Sequence, residues 1–236
     1  MDYFQAKEFK IYHHNSPQKV TTDSIILGSW TNPISSPKTI LDIGSGNGIL
    51  ALMMSQKFST AKIDAVEINN LASKDAQKNF SLSPWSNRIT LFNENITKFT
   101  PTTSYDLIIA NPPYFENSLH SNNERRKHAR HQTELTYNQL LSFSSQHLSL
   151  LGTLSIIIPY IEHENIISIA KQHNLFHSNQ LVIKTKTNTT PKLICLSFNK
   201  KKSSSDFKQL IIHDKQNSYS KEYIALTEKF YSHKLL

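Results

Sequence analysis

Cysteine is nearly absent from this chain. One residue, Cys195, occurs in 236, which excludes an internal disulfide and a cysteine-rich zinc site. No apolar run approaches the ~20 residues needed to cross a bilayer. The opening Met1-Asp2-Tyr3-Phe4-Gln5-Ala6-Lys7-Glu8 has no apolar signal region. These absences predict a cytoplasmic chain without a membrane segment. The eleven histidines fall into no HxE…CxxC pattern, so no metal site is expected. There is no internal repeat, low complexity is confined to Ser203-Ser204-Ser205, and nothing points to an obligate protein partner. Acid is in short supply: 26 Lys and Arg against 18 Asp and Glu leave a formal charge of +8. Such a surplus favours polyanions by steering and counterion release, although many soluble proteins carry one for solubility alone.

What is present looks globular. Hydrophobic residues make up 38% and charged residues 19%, enough to build a core in one large domain. The centre alternates short β-rich runs with helical stretches. Strands are expected over 39–43, 62–67, 88–92, 105–110 and 153–158. Helices are expected over 49–58, from Asn69 to about 83, about 134–151 and about 162–174. The last third reads as strands over 180–185, 192–198 and 207–213, then a helix over about 220–231. Alternation of this kind predicts a parallel sheet covered on both faces, with the late strands forming an antiparallel edge. In such sheets ligands bind beyond the carboxyl ends of the strands, where the strand order reverses.

Two motifs fall at strand carboxyl ends. The first is Asp42-Ile43-Gly44-Ser45-Gly46-Asn47-Gly48. Its glycines allow a sharp turn and the close approach of a ligand. The spacing is GxGxG, not the GxGxxG of dinucleotide sites, and Asp42 would repel a pyrophosphate. A zwitterionic amino acid bearing a sulfonium would not be repelled. Glu67 ends the second strand, where a carboxylate can accept both hydroxyls of a ribose. Asn95 follows the third strand and could accept from an adenine amine through its carbonyl oxygen. Taken singly, a plain strand–helix turn, a solvated strand end and a turn-capping Asn would account for the same residues.

The second motif is Asn111-Pro112-Pro113-Tyr114, directly after the fourth strand. The exocyclic amine of adenine is a poor nucleophile because its lone pair is delocalised into the ring. The Asn111 side-chain oxygen and the Pro112 carbonyl can accept its two N–H bonds and draw the nitrogen toward a tetrahedral shape. Two prolines stiffen the turn that holds those acceptors. Tyr114 offers a face for stacking the target ring, worth ~1–3 kcal/mol. The lone pair then attacks a sulfonium methyl in line, with positioning supplying much of the rate. Asn-Pro also opens ordinary turns.

These residues resemble the class I AdoMet methyltransferases that carry an NPPY motif and methylate planar amino nitrogens. Lys19-Val20-Thr21-Thr22-Asp23-Ser24-Ile25-Ile26-Leu27-Gly28-Ser29-Trp30 is similar to the N-terminal signature of the bacterial tRNA1(Val) adenosine-37 N6-methyltransferases. So are residues 49–56, Ser83-Pro84-Trp85, and the closing Gln216-Asn217-Ser218-Tyr219-Ser220 with Tyr223 and Phe230-Tyr231. The resemblance implies a Rossmann-like α/β fold with a seven-stranded, mostly parallel sheet in the order 3-2-1-4-5-7-6. It implies one methyltransferase domain over 1–236, with residues 1–37 as an extension covering the cofactor site. It implies AdoMet as cofactor, held by Lys19, Thr22, Asp42, Gly44, Gly46, Glu67 and Asn95. Catalysis would fall to Asn111, Pro112, Pro113 and Tyr114, and the substrate would be an adenosine in tRNA. Glutamine N5-methylation and adenine methylation of another RNA or DNA pose the same chemical problem. Against the first, only about 38 residues precede the first of these strands, too few for the helical domain such enzymes carry. The expected RNA contacts are Arg125, Arg126, Lys127 and Arg130, just past Tyr114, and Lys184, Lys186 and Lys192. The latter belong to a run that continues through Lys200–Lys202 without an acid. Each could equally be a solvated surface residue.

Overall fold

The computed structural model describes residues 3–113, 135–202 and 205–231. A small antiparallel pair, β1 (Tyr3–Gln5) and β2 (Lys10–Tyr12), comes first, followed by helix α1 (Thr22–Trp30). Neither the pair nor α1 is legible as a regular element from periodicity. Thr21 caps α1, its side chain accepting the Ser24 N–H.

Among the described residues the main sheet has eight strands. They are β3 (Thr39–Ile43), β4 (Lys62–Val66), β5 (Ile89–Phe92), β6 (Tyr105–Ala110), β7 (Leu148–Pro159), β8 (Phe176–Lys184), β9 (Leu193–Asn199) and β10 (Asp206–Ile211). Between them run α2 (Ile49–Lys57), α3 (Asn70–Ser81), α4 (Tyr137–His147) and α5 (His163–Gln172), with α6 (Lys221–Thr227) after β10. Across the sheet the order is β5-β4-β3-β6-β7-β9-β8-β10. The first seven strands therefore keep the order 3-2-1-4-5-7-6, and the expected count of seven is corrected to eight. β10 adds beside β8 and runs parallel to it. The only antiparallel strand among the described ones of this sheet is β9, paired with β7 and β8. The Rossmann-like α/β class expected from the sequence holds.

Alternation along the strands sends side chains to two cores. Ile40, Ile63, Leu107 and Ile109 face a cluster with α1 and α2. Leu41, Ile43, Ile108 and Ile156 face a second cluster with α4 and α5. One boundary differs from expectation. The helix foreseen to 151 ends at His147, and β7 begins at once with Leu148 opposite Tyr105. Pairing with β6 overrides the helical preference of the leucines. The extra residues bulge out, leaving Leu150 and Leu151 exposed. Gly152 closes that bulge, because a Cβ there would stand 2.8 Å from the Tyr105 carbonyl oxygen.

The sheet order reverses at β3, which has β4 on one side and β6 on the other. The crevice beyond these strands is where a ligand is expected.

Candidate active site

A cavity of about 400 Å³ opens at this crevice. Gly44, Gly46, Glu67, Asn95, Asn111, Pro112 and Pro113, singled out from the sequence, all line it. The chain separates them by up to 69 positions; the sheet brings them together because each lies at or just past the end of β3, β4, β5 or β6.

The glycine turn owes its shape to backbone geometry. Gly44, Gly46 and Gly48 have φ of +68°, +57° and +87°, a region that costs L-residues strain. A Cβ on Gly44 or Gly46 would meet nothing within 4 Å, whereas one on Gly48 would run into the Phe80 ring. The first two leave open space; the third lets α3 pack under the turn. Glu67 braces the turn from below. Its Oε2 accepts the Gly46 N–H and its Oε1 the Asn69 N–H, both at 2.7 Å. Each carboxylate oxygen keeps one further lone pair for a ligand hydroxyl.

Asp42 is fully buried beneath the turn and does not line the cavity. Its Oδ2 accepts the Ala51 N–H at 3.0 Å. It thereby satisfies an orphan donor of α2, whose cap position is a glycine without a side chain. Its Oδ1 has no hydrogen-bond partner among the described residues. Burial pushes the Asp42 carboxyl up to about 7, against the pull of the Ala51 N–H and with the Glu67 charge adding to the rise.

Asn111 is oriented by α1. Its Nδ2 donates to Ser24 Oγ at 3.0 Å, and Ser24 is buried. The amide oxygen is thus left as the acceptor of this cavity-lining side chain. Ser24 belongs to the N-terminal segment quoted above, yet only its place in space reveals that it holds Asn111. Tyr114 lies outside the described residues, as do Arg125, Arg126, Lys127 and Arg130.

Lys19 and Thr22 are exposed and do not form the wall. Their neighbours Ser16, Pro17 and Gln18 do. This strap is stitched to α3, which presents Asp75 and Asn79 on its buried face. Asp75 accepts four hydrogen bonds of 2.7–2.8 Å, from the backbone and side chains of Asn15 and Ser16. Burial raises its carboxyl, but these bonds more than reverse that and hold it below the usual range. Asn79 accepts the Tyr12 N–H and donates to the carbonyls of Tyr12 and Asn47. Asn47, inside the glycine turn, donates in turn to the Gln18 carbonyl. Asp75 and Asn79, four residues apart and so on one face of the helix with Ala72, Ala76 and Phe80, were the available signal for this latch.

The late lysines divide between two edges. Lys184 ends β8 and Lys192 precedes β9, both at the edge where β7 ends in Pro159. That is the carboxyl edge of β6, where Asn111 sits. β9 and β8 are two and three strands from β6, about 10 and 14 Å across the sheet. Lys186 follows Lys184 in the same turn. Lys200, Lys201 and Lys202 follow the other end of β9, at the opposite edge, and Lys200 Nζ donates to the Leu148 carbonyl. The run without acids is not one surface.

No Lys or Arg lines the cavity among the described residues, while Glu67 and Glu94 do. A ligand rich in phosphates would find no counter-charge there. A cationic sulfonium with a ribose fits, given open glycine faces, a braced Glu67 carboxylate and a second carboxylate, Glu94, on the wall. Exposed Ile68 and buried Ile96 add apolar wall for a flat ring. Architecture and crevice together are those of a Rossmann-like methyltransferase, an enzyme class whose methyl donor is AdoMet. Residues 24–160 match the family model described as methyltransferase small domain, and the chain belongs to that family.

Curated relatives extend the match to almost the whole chain. It is 36% identical over 230 residues to a tRNA1(Val) (adenine(37)-N6)-methyltransferase of Flavobacterium psychrophilum, covering 97% of this chain and 98% of that one. It is 39% identical over 233 residues to the enzyme of that name from Pectobacterium carotovorum, covering 98% and 94%. Among solved structures, a protein from Agrobacterium tumefaciens described as a predicted O-methyltransferase shares the fold with a TM-score of 0.70 at 16% identity, covering 90% and 98%. A methyltransferase from Pyrococcus furiosus does so at 0.57 and 21%, covering 81% and 89%. Among the described residues no helix is long and apolar enough to cross a membrane, and no group of three or more His, Cys, Asp or Glu could hold a metal ion.

Proposed function

We propose that this chain methylates N6 of an adenosine in tRNA, adenosine-37 next to the anticodon of tRNA1(Val). The observation that carries the reading is Asn111. Its nitrogen is engaged by Ser24, so its oxygen is an acceptor at the cavity, next to a rigid Pro112-Pro113. An acceptor is what a delocalised amine needs and what a hydroxyl nucleophile, which requires a base, does not. Asn111 Oδ1 and the Pro112 carbonyl take the two N–H bonds of the target amine and free its lone pair. Tyr114 stacks on the base. AdoMet supplies the electrophilic methyl, and the proton on the methylated nitrogen passes to an acceptor or water. Glu67 holds the ribose, and Gly44 and Gly46 give the cofactor room. Asp42 supports the turn from beneath, with Lys19 and Thr22 close by on the N-terminal segment. The names of the full-length relatives supply the tRNA and the nucleotide.

The same reading makes 1–236 one methyltransferase domain in the cytoplasm, with residues 1–37 covering the cofactor site; the Ser16–Gln18 wall and its latch on α3 support it. On this reading Lys184, Lys186 and Lys192 meet phosphates flanking the target base, which their place at the carboxyl edge of the sheet supports, with Arg125, Arg126, Lys127 and Arg130 the further candidates from sequence. Nucleoside mass spectrometry of tRNA from cells lacking this protein is the test. N6-methyladenosine should be missing from one valine tRNA and restored in vitro by the protein with labelled AdoMet. Unchanged tRNA would overturn the assignment.

A further inference from the structure

Asn95 stands on the cavity wall just past β5, half-buried, where an acceptor for the adenine amine would be expected. Its carbonyl oxygen is already engaged. Oδ1 accepts the Thr97 backbone N–H at 2.9 Å and the Thr97 hydroxyl at 3.0 Å. A carbonyl oxygen has two lone pairs, and the turn uses both. Reversing the amide would set its NH2 against a backbone N–H, which can only donate. What Asn95 has left for a ligand is therefore a pure donor. The neighbouring Glu94 also lines the cavity, half-buried, with no hydrogen bond or ion pair to another described residue. It is a pure acceptor when ionised.

A donor beside an acceptor is the complement of one edge of adenine, where ring nitrogen N1 accepts and the adjacent 6-amino group donates. We infer that this chain reads the cofactor's adenine with Asn95 Nδ2 donating to N1 and the Glu94 carboxylate accepting from the 6-amino group. The inference rests on the cavity being the AdoMet site. A turn cap alone explains Oδ1 but gives no role to Nδ2 or to the Glu94 carboxylate, which line the cavity with Ile68 and Ile96.

S-adenosylhomocysteine and its 1-deaza analogue, in which C–H replaces N1, are the probes, titrated calorimetrically into the purified chain and its variants. Asn95→Asp keeps both bonds from Thr97, since a carboxylate accepts them equally, but sets an acceptor against N1. Its affinity for S-adenosylhomocysteine should fall about tenfold, the size of one unpaired buried polar group. The unmodified chain should lose about as much on going to the 1-deaza analogue, while Asn95→Ala should bind the two ligands equally. Glu94→Gln should weaken binding of both ligands. Equal or tighter binding by Asn95→Asp would overturn the inference and return the acceptor role to this position, leaving the cofactor site intact. Failure of the unmodified chain to bind S-adenosylhomocysteine at all would remove the cofactor site and the inference with it.

Discussion

Asp75 should govern whether the cofactor cavity is closed. Four hydrogen bonds of 2.7–2.8 Å converge on its carboxylate from Asn15 and Ser16, and the side chain is 2% exposed. Bonds to a charged acceptor contribute ~1.5–3 kcal/mol net apiece. The four act as a unit and water can rehydrate the released strap, so Asp75→Ala should cost about 2–4 kcal/mol rather than their sum. The loss is local. It should free the strap around Asn15 and Ser16 without unfolding the sheet, because Asn79 still holds Tyr12 and the main core remains. If only a tenth of molecules keep the strap docked, apparent affinity for S-adenosylhomocysteine falls about tenfold. Hydrogen exchange of the Asn15 and Ser16 amides and calorimetric titration measure the two effects. The sign with pH follows from the lowered carboxyl. The latch is fully present above the unfolded value of about 4 and is lost as pH falls through the lower folded value. Unchanged exchange and unchanged affinity in Asp75→Ala would refute the latch.

Asn111→Ala should abolish methylation while leaving S-adenosylhomocysteine affinity nearly unchanged; a parallel loss of affinity would count against its catalytic role. Asp42 is raised to about 7 in the folded chain, so its contribution to stability declines as pH rises from its unfolded value toward 7. Relative to Asp42→Asn, the natural chain should lose roughly 2 kcal/mol between about pH 5 and pH 7, measured by urea denaturation of both at each pH. Replacing Lys184, Lys186 and Lys192 with Gln should weaken tRNA binding and flatten its salt dependence. The same change at Lys201 and Lys202 should not, since they lie at the far edge; equal effects from both sets would remove the carboxyl edge from the RNA footprint.

The glycine turn, Glu67 and Asn111-Pro112-Pro113 were legible because each is a local pattern at a strand end, and a parallel sheet collects strand ends in one crevice. The parts that escaped depend on partners far along the chain. Asp75 and Asn79 read as ordinary polar helix residues until a segment about 60 positions earlier lies against them. Ser24 gains its role only from Asn111, 87 positions away. The early start of β7 was hidden because its leucines suit a helix until Tyr105 pairs with Leu148.

Hydrophobic period, glycine spacing and proline stiffness are properties of neighbours in sequence, so the chain by itself determined which central segments are strands and helices, the glycine turn after β3 and the stiff Asn-Pro-Pro turn after β6. Tertiary structure decided which way each amide points. Asn95 and Asn111 are the same residue type, yet Thr97 holds the oxygen of one and Ser24 the nitrogen of the other, so the first offers a donor and the second an acceptor. It also divided the lysines between two edges of the sheet, because β9 runs against its neighbours and carries its ends to opposite sides.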